Sequence, residues 1–196
     1  MSEICAELKR KAFHMLSLVY WAAFALLGWP RVGRWMALWL AVVFIIETAR
    51  LRVPEVERVM VGLFAGIMRP TERRHFSGIV HTTAGSLAAM IIARGDPVVT
   101  GAAIGQLAFS DTAAALAGKA FGRTKIFGGP KSLEGALAGF SVGYLTSSAC
   151  GARPLAALAS AFAASSVELL PTTPFLNDNF WMPVASAAVL RALGAR

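Results

Sequence analysis

The chain has 196 residues, 56% of them hydrophobic and 15% charged, with a net charge of +8 and a mean hydropathy of +0.59. That balance excludes a disordered chain and a nucleic-acid-binding tail, and it lies outside the composition of ordinary soluble enzymes. Lys and Arg fall mostly in short gaps between apolar stretches, where positive charge orients membrane helices instead of binding nucleic acid.

The spacing predicts an all-α fold: a polytopic membrane helical bundle of about seven transmembrane helices plus a cytoplasmic interfacial helix, forming a single domain over 1–196. The first apolar span covers 12–28, preceded by Lys9, Arg10 and Lys11 and stopped by Pro30. It resembles the basic and apolar regions of a signal peptide. No small-x-small cleavage site precedes Pro30, and a charged gap and second span follow, so a retained anchor is expected.

The second span is 35–49. After it, Val53, Val56, Met60, Leu63, Phe64 and Ile67 form a helical apolar stripe, with Glu55, Glu57 and Arg58 off it. This reads as a helix at the cytoplasmic interface or as a bundle helix capping the core. Further spans cover 78–93, 98–118, 133–150, 154–170 and a short 180–193. Thirteen Lys and Arg fall on the N-terminal side of this arrangement and six on the other, which places the N-terminus in the cytoplasm and the C-terminus outside.

Gly101-x-x-x-Gly105, Ala114-x-x-x-Gly118 and Gly135-x-x-x-Gly139 predict closely packed helices. The five Trp residues read as interfacial anchors. Cys5 and Cys150 make no metal or disulfide pattern, fall on opposite sides of the predicted membrane, and are expected to be reduced.

Only 11 residues are acidic, and a charge within a span is costly enough to point to function or pairing. Asp111 lies inside the fourth span, Glu168 near the end of the sixth, Asp178 in the following turn and Glu47 at the end of the second. Asp111 and Lys119, eight residues apart, share a helix face. Residues 118–132 then hold four cations and four glycines. Gly122 and its neighbours let backbone N–H groups approach a phosphate, while Lys119, Arg123, Lys125 and Lys131 neutralise it. Ser132 is placed to cap the next helix, whose N-terminus favours an anion. Glu134 in its first turn would repel phosphate unless a cation intervened, and Mg2+ held by carboxylates and phosphates supplies one. The spacing is not that of a Walker A loop.

The run Asp111, Leu116-Ala117-Gly118-Lys119, Phe121-Gly122, Lys125 and Lys131-Ser132-Leu133-Glu134-Gly135 resembles the CTP-dependent lipid kinases. These include dolichol kinase, phytol and farnesol kinases and the CTP-dependent diacylglycerol kinase. CDP-diacylglycerol synthase is a looser likeness. Arg10-Lys11-x-x-His14 resembles the family's opening motif. Glu47 with Arg50, and Arg69-x-x-Glu72, resemble its acidic-basic pairs. Glu168 with Asn177-Asp178-Asn179 resembles its late acidic segment, Asn177 standing where the family has an Asp.

The resemblance implies γ-phosphoryl transfer from CTP to the hydroxyl of a membrane lipid alcohol (a polyprenol such as dolichol, phytol or a similar isoprenoid), with Mg2+ and a cytoplasmic active site. On that reading Asp111, Glu134 and Glu168 are catalytic, with Asp111 the expected base. Lys119, Gly122, Arg123, Lys125, Lys131 and Ser132 hold the nucleotide. Asp111, Glu134 and Asp178 hold the metal. Arg10, His14, Glu47, Arg69, Glu72, Asn177 and Asn179 are accessory. Two other readings compete: a cytidylyltransferase making a CDP-lipid, and a small transporter or anion-binding membrane module. The expected partners are CTP, the lipid alcohol and the bilayer, with no nucleic acid; neither the alcohol's length nor the oligomeric state follows from the sequence.

Overall fold

The structure, a computed structural model, describes residues 2–68, 70–126, 129–170, 173 and 177–196, with the side chains of 2–6, 70 and 71 outside the description. The described residues are almost entirely helical, with one isolated bridge between Lys125 and Ser132. Helix α1, Ser2–His14, continues through a 3-10 turn into α2, Leu18–Leu27. Then come α3, Arg31–Arg52; α4, Pro54–Leu63; and α5, Gly78–Ala93. Helix α6, Pro97–Gly105, passes through a π turn, Gln106–Ser110, into α7, Asp111–Phe121. The last three are α8, Leu133–Ala149; α9, Pro154–Leu169; and α10, Asp178–Ala192.

Local chemistry fixes several boundaries. Asp96 accepts hydrogen bonds from the Val98 and Val99 N–H groups, and Pro97 occupies the first turn of α6, where its missing N–H costs nothing. Ser132 caps α8 through the Gly135 N–H at 3.2 Å, as the sequence predicts. Gly28 ends α2 at φ +67°, a conformation that suits glycine.

The interior is rich in small and weakly polar side chains: Ala89, Ala102, Ala103, Ala157, Ala161, Thr83, Ser86, Ser147 and Ser160 are all fully buried, beside larger apolar ones such as Met90, Ile104, Leu107, Met182 and Leu190. The exterior carries large apolar ones, among them Leu26, Leu155, Phe121 and Phe162 at 85%, 72%, 70% and 67% exposure. Small interiors let helices approach to backbone contact. At the α7–α8 crossing, a Cβ on Gly135 would lie 2.7 Å from the Ala114 carbonyl oxygen, and one on Gly139 would lie 2.9 Å from the Ala114 Cβ. Those two predicted small-residue motifs do pack against each other.

Among the described helices, α3 is the one long and apolar enough by itself to cross a membrane; α5 and α9 are apolar but shorter. Helix α10, read from the sequence as a marginal final span, is central: Met182, Pro183, Ser186, Ala187 and Leu190 are buried against α5 and α9. Helix α4 has no fully buried residue. Its half-buried Met60, with Phe64 and Ile67 just beyond its end, covers a groove beside α1.

Chain direction sorts the polar groups. The C-terminal ends of α3, α7 and α9 and the N-terminal ends of α5, α8 and α10 carry Glu47, Lys119, Glu168, Ser77, Ser132 and Asp178. At the opposite end, the Arg153 N–H donates to the Ala195 carbonyl at 2.9 Å, and Arg196 stands 3.9 Å from Asp96.

Candidate functional site

Asp111 begins α7 immediately after the π turn and is buried, with 6% of its side chain exposed. Lys11 Nζ donates to Asp111 Oδ2 at 2.5 Å. His14 Nε2 lies 3.3 Å from the same oxygen and 3.0 Å from the Leu107 carbonyl of the π turn. Both neighbours accept, so Nε2 carries the proton. One carboxylate oxygen is thus held by two groups from α1. π turns are uncommon and often stand at functional positions; here one brings the Leu107 carbonyl and the Asp111 carboxylate onto the same His14 nitrogen.

Lys119, two turns further on, pairs with Glu7 Oε2 at 2.7 Å, and Arg10 NH1 donates to the same oxygen at 2.8 Å. The face shared by Asp111 and Lys119 is therefore the face that docks α1, with α1 antiparallel to α7. Glu7 and Lys11 are four residues apart and their partners on α7 eight apart, so the long lysine side chains span the difference in helix rise. Burial pushes the Glu7 carboxyl up; the Lys119 hydrogen bond and the charges of Arg10 and Lys11 outweigh it and hold the group below the usual carboxylate range.

Lys131, at the end of the 122–132 loop, donates from Nζ to Glu168 Oε1 on α9. Glu168 lies within electrostatic reach of both Asp111 and Asp178. All three acids are buried, and Lys11 and Lys131 pair with two of them. Glu134 stands elsewhere: its carboxylate accepts from the Thr124 N–H at 3.1 and 3.3 Å and so shapes the loop. Among the described residues the expected metal grouping of Asp111, Glu134 and Asp178 is not assembled. Among the described residues, no three metal-ligating side chains converge into a preformed metal site.

The described arms of the loop pair with each other. The Ile126 N–H donates to Lys131 O at 3.0 Å, and the Leu133 N–H to Thr124 O at 2.9 Å. Arg123 and Lys125 are exposed on it, Lys125 reaching Pro130 O at 3.4 Å. Gly122 has a packing reason to be glycine: a Cβ there would lie 2.1 Å from Gly118 O and 2.5 Å from Ser132 Oγ. Gly128 of the expected glycine set lies outside the described residues.

The accessory residues divide. Glu47 and Arg50 form a buried bidentate pair at 2.8 and 2.9 Å. Arg50 also donates to the Glu72 and His75 carbonyls at 3.1 and 2.7 Å, while Glu47 accepts from the Ser77 N–H at 2.8 Å. Together they clamp the segment entering α5, where Glu72 accepts from the Gly78 N–H at 3.0 Å. Asn177 caps α10 through the Asn179 N–H at 3.0 Å, so its side-chain oxygen already serves the backbone. Arg69 lies outside the described residues, as does the Cys5 side chain; Cys150 is a half-buried free thiol.

A groove of about 710 Å³ runs from this cluster between α1, α2, α3, α4 and α5. Its walls are apolar, including Tyr20, Ala23, Met36, Trp39, Val43 and Phe64. Its polar end carries Arg10, Lys11, His14 and Asp111, with Glu47, Glu72 and Asn179 nearby. The sequence reading missed this groove, since several separate helices build it, and it missed Glu7 and the pairing of Lys11. A signal was present: Glu7 and Lys11 are oppositely charged at i and i+4, just before an apolar span.

No family model, no curated protein and no solved structure matches the chain.

The oxygen-only donor set at the cluster suits a hard divalent cation. Mg2+ characteristically takes one or two carboxylates and completes its shell with phosphates and water. Since no three such side chains converge among the described residues, Glu168 and Asp178 suit an ion that brings most of its shell with a nucleotide better than a cage of protein ligands.

Proposed function

We propose that the protein is an integral-membrane, CTP-dependent kinase of a lipid alcohol, with its N-terminus and active site on the cytoplasmic side. The observation that carries this reading is the apolar groove ending on a buried carboxylate beside a cation-bearing loop. A long apolar tail lies along the groove, and its hydroxyl meets Asp111. The exterior of large apolar side chains around a small-residue interior suits a bilayer, and up-and-down chain direction keeps the polar cluster on the side richer in Lys and Arg.

Phosphoryl transfer rests on positioning and charge neutralisation more than on covalent participation by the protein. Lys119, Arg123, Lys125 and Lys131 receive the triphosphate at the loop. Asp111 orients the lipid hydroxyl and accepts its proton. Asp178, with Glu168 alongside, would hold Mg2+, which supplies charge neutralisation at the phosphates. Lys119 and Lys131 are paired with Glu7 and Glu168, so triphosphate binding exchanges one anion for another at each. The preference for CTP rests on the resemblance of the 111–135 motif.

The groove also bears on the alcohol. A cavity of about 150 Å³ holds one benzene, so about 710 Å³ takes roughly 28 non-hydrogen atoms on the same packing. That suits a single isoprenoid chain; a longer polyprenol would leave its remainder in the bilayer.

The test is purified protein in lipid nanodiscs with Mg2+, CTP and a panel of lipid alcohols, with label at either the α- or the γ-phosphate. A kinase moves only γ-label into the lipid. Incorporation of α-label identifies a cytidylyltransferase, and no incorporation leaves the transporter or anion-binding reading.

A further inference from the structure

We propose that Lys11 is a catalytic residue, the cation that bridges Asp111 and the phosphoryl group in transit. The inference rests on the kinase reading and adds a residue to its site. Lys11 is 5% exposed, an unusual position for a lysine, whose ammonium is strongly hydrated. Its Nζ is on Asp111 Oδ2 at 2.5 Å, and its side chain lines the polar end of the groove. A purely structural ion pair would need no access to the groove. This one opens onto the place where a lipid hydroxyl meets Asp111, and a group there is within reach of both ammonium and carboxylate.

The chemistry assigns each partner a part. The lipid hydroxyl oxygen forms a bond to the γ-phosphorus of CTP. The bond from that phosphorus to the β,γ-bridging oxygen breaks, and its electron pair leaves with CDP. The hydroxyl proton passes to Asp111. As the proton arrives, the carboxylate loses the charge that held Lys11, while the three oxygens on the transferring phosphorus remain anionic. Lys11 turns from one to the other without leaving the groove end, and its ammonium stabilises charge where the reaction places it. His14, held on the Leu107 carbonyl at 3.0 Å, keeps the carboxylate oriented while Lys11 moves. Glu7 sets the position of the lysine: its buried carboxylate is one turn away on α1 and attracts the Lys11 charge.

The experiment compares wild type, Lys11→Met, Lys11→Arg and Lys11→Cys in nanodiscs, with γ-labelled CTP and a saturating isoprenoid alcohol. Cys5→Ser and Cys150→Ser are placed in all four backgrounds, so that bromoethylamine converts only position 11 to an aminoethyl cysteine. The expected result is a loss in kcat of a hundredfold or more for Lys11→Met and unalkylated Lys11→Cys. The apparent KM for CTP and alcohol should change less than about threefold. Alkylation should restore at least a tenth of the wild-type rate, and Lys11→Arg should retain a partial one. If Lys11→Met loses helix content, the alkylated and unalkylated Cys variants, taken from one preparation, supply the comparison. Wild-type turnover with an unrescued Lys11→Cys, or with Lys11→Met within tenfold of wild type per folded molecule, overturns the proposal and leaves the kinase reading standing. A wild type that transfers no γ-label overturns both.

Discussion

Lys11 Nζ meets Asp111 Oδ2 at 2.5 Å across 100 residues of sequence, and both side chains are 6% exposed. Removing one member of a buried pair leaves the other charge without compensation, at a cost of about 3–5 kcal/mol. Asp111→Asn should therefore lose nearly all turnover and also melt earlier. Adding Lys11→Met removes the stranded ammonium and should recover most of the melting temperature but none of the activity. Turnover and melting measured on the same preparations decide this. Full activity in Asp111→Asn would remove the carboxylate from the chemistry.

Lys131 bears on the nucleotide. Its ammonium sits on Glu168 at the end of the loop, and charge-assisted contacts of this kind contribute about 1.5–3 kcal/mol. Lys131→Ala should raise the apparent KM for CTP at least tenfold while the alcohol KM stays within about twofold. An unchanged CTP KM would return Lys131 to the part of a lipid-headgroup anchor.

Glu7 makes the docking of α1 pH-dependent. Its carboxyl is held below the usual range against the opposing effect of burial. A carboxyl depressed in the folded state adds stability that is fully present above its unfolded value, about 4.3 for Glu. That stability is lost as pH falls through the lower folded value. Glu7→Gln should lower the melting temperature at pH 7, and the gap between variant and wild type should close as pH falls from about 5 to 3. A gap that stays constant over that range would show that the Glu7 charge does not hold α1.

Ala23 tests the groove. It is half-buried on α2 and lines the apolar wall. Ala23→Phe places a ring in the space assigned to the alcohol's tail. The variant should raise the KM for a twenty-carbon isoprenoid alcohol several-fold more than that for a ten-carbon one, with the CTP KM unmoved. Equal effects on both alcohols would place the tail elsewhere.

The sequence was most informative where one element decides the answer. The reading of 78–93 coincides with α5, Gly78–Ala93, because its ends are set by a local break in apolar character. The Ser132 cap and the contact of Ala114-x-x-x-Gly118 with Gly135-x-x-x-Gly139 followed from spacing alone. The shared face of Asp111 and Lys119 held because both residues lie beyond the π turn, in regular helix. What spacing could not reach was long-range. Glu7 and Lys119 are 112 positions apart, and nothing local pairs them. The bond of Glu134 to the Thr124 N–H was not legible, because an acid in the first turn after a cation-rich loop looks the same whether it faces a ligand or a neighbouring N–H. The groove belongs to no single segment.

The central claim is that a lipid hydroxyl is presented to Asp111 at the polar end of the α1–α3–α5 groove. A photoreactive isoprenoid alcohol with a diazirine within two carbons of the hydroxyl tests it directly. After irradiation in nanodiscs, mass spectrometry of the digested protein locates the adducts. The account predicts adducts on groove-lining residues, foremost His14 beside Asp111, suppressed by excess unlabelled alcohol. Adducts confined to the outer face, for example at Leu155, Leu158 and Phe162 of α9, and unaffected by the competitor, would contradict it.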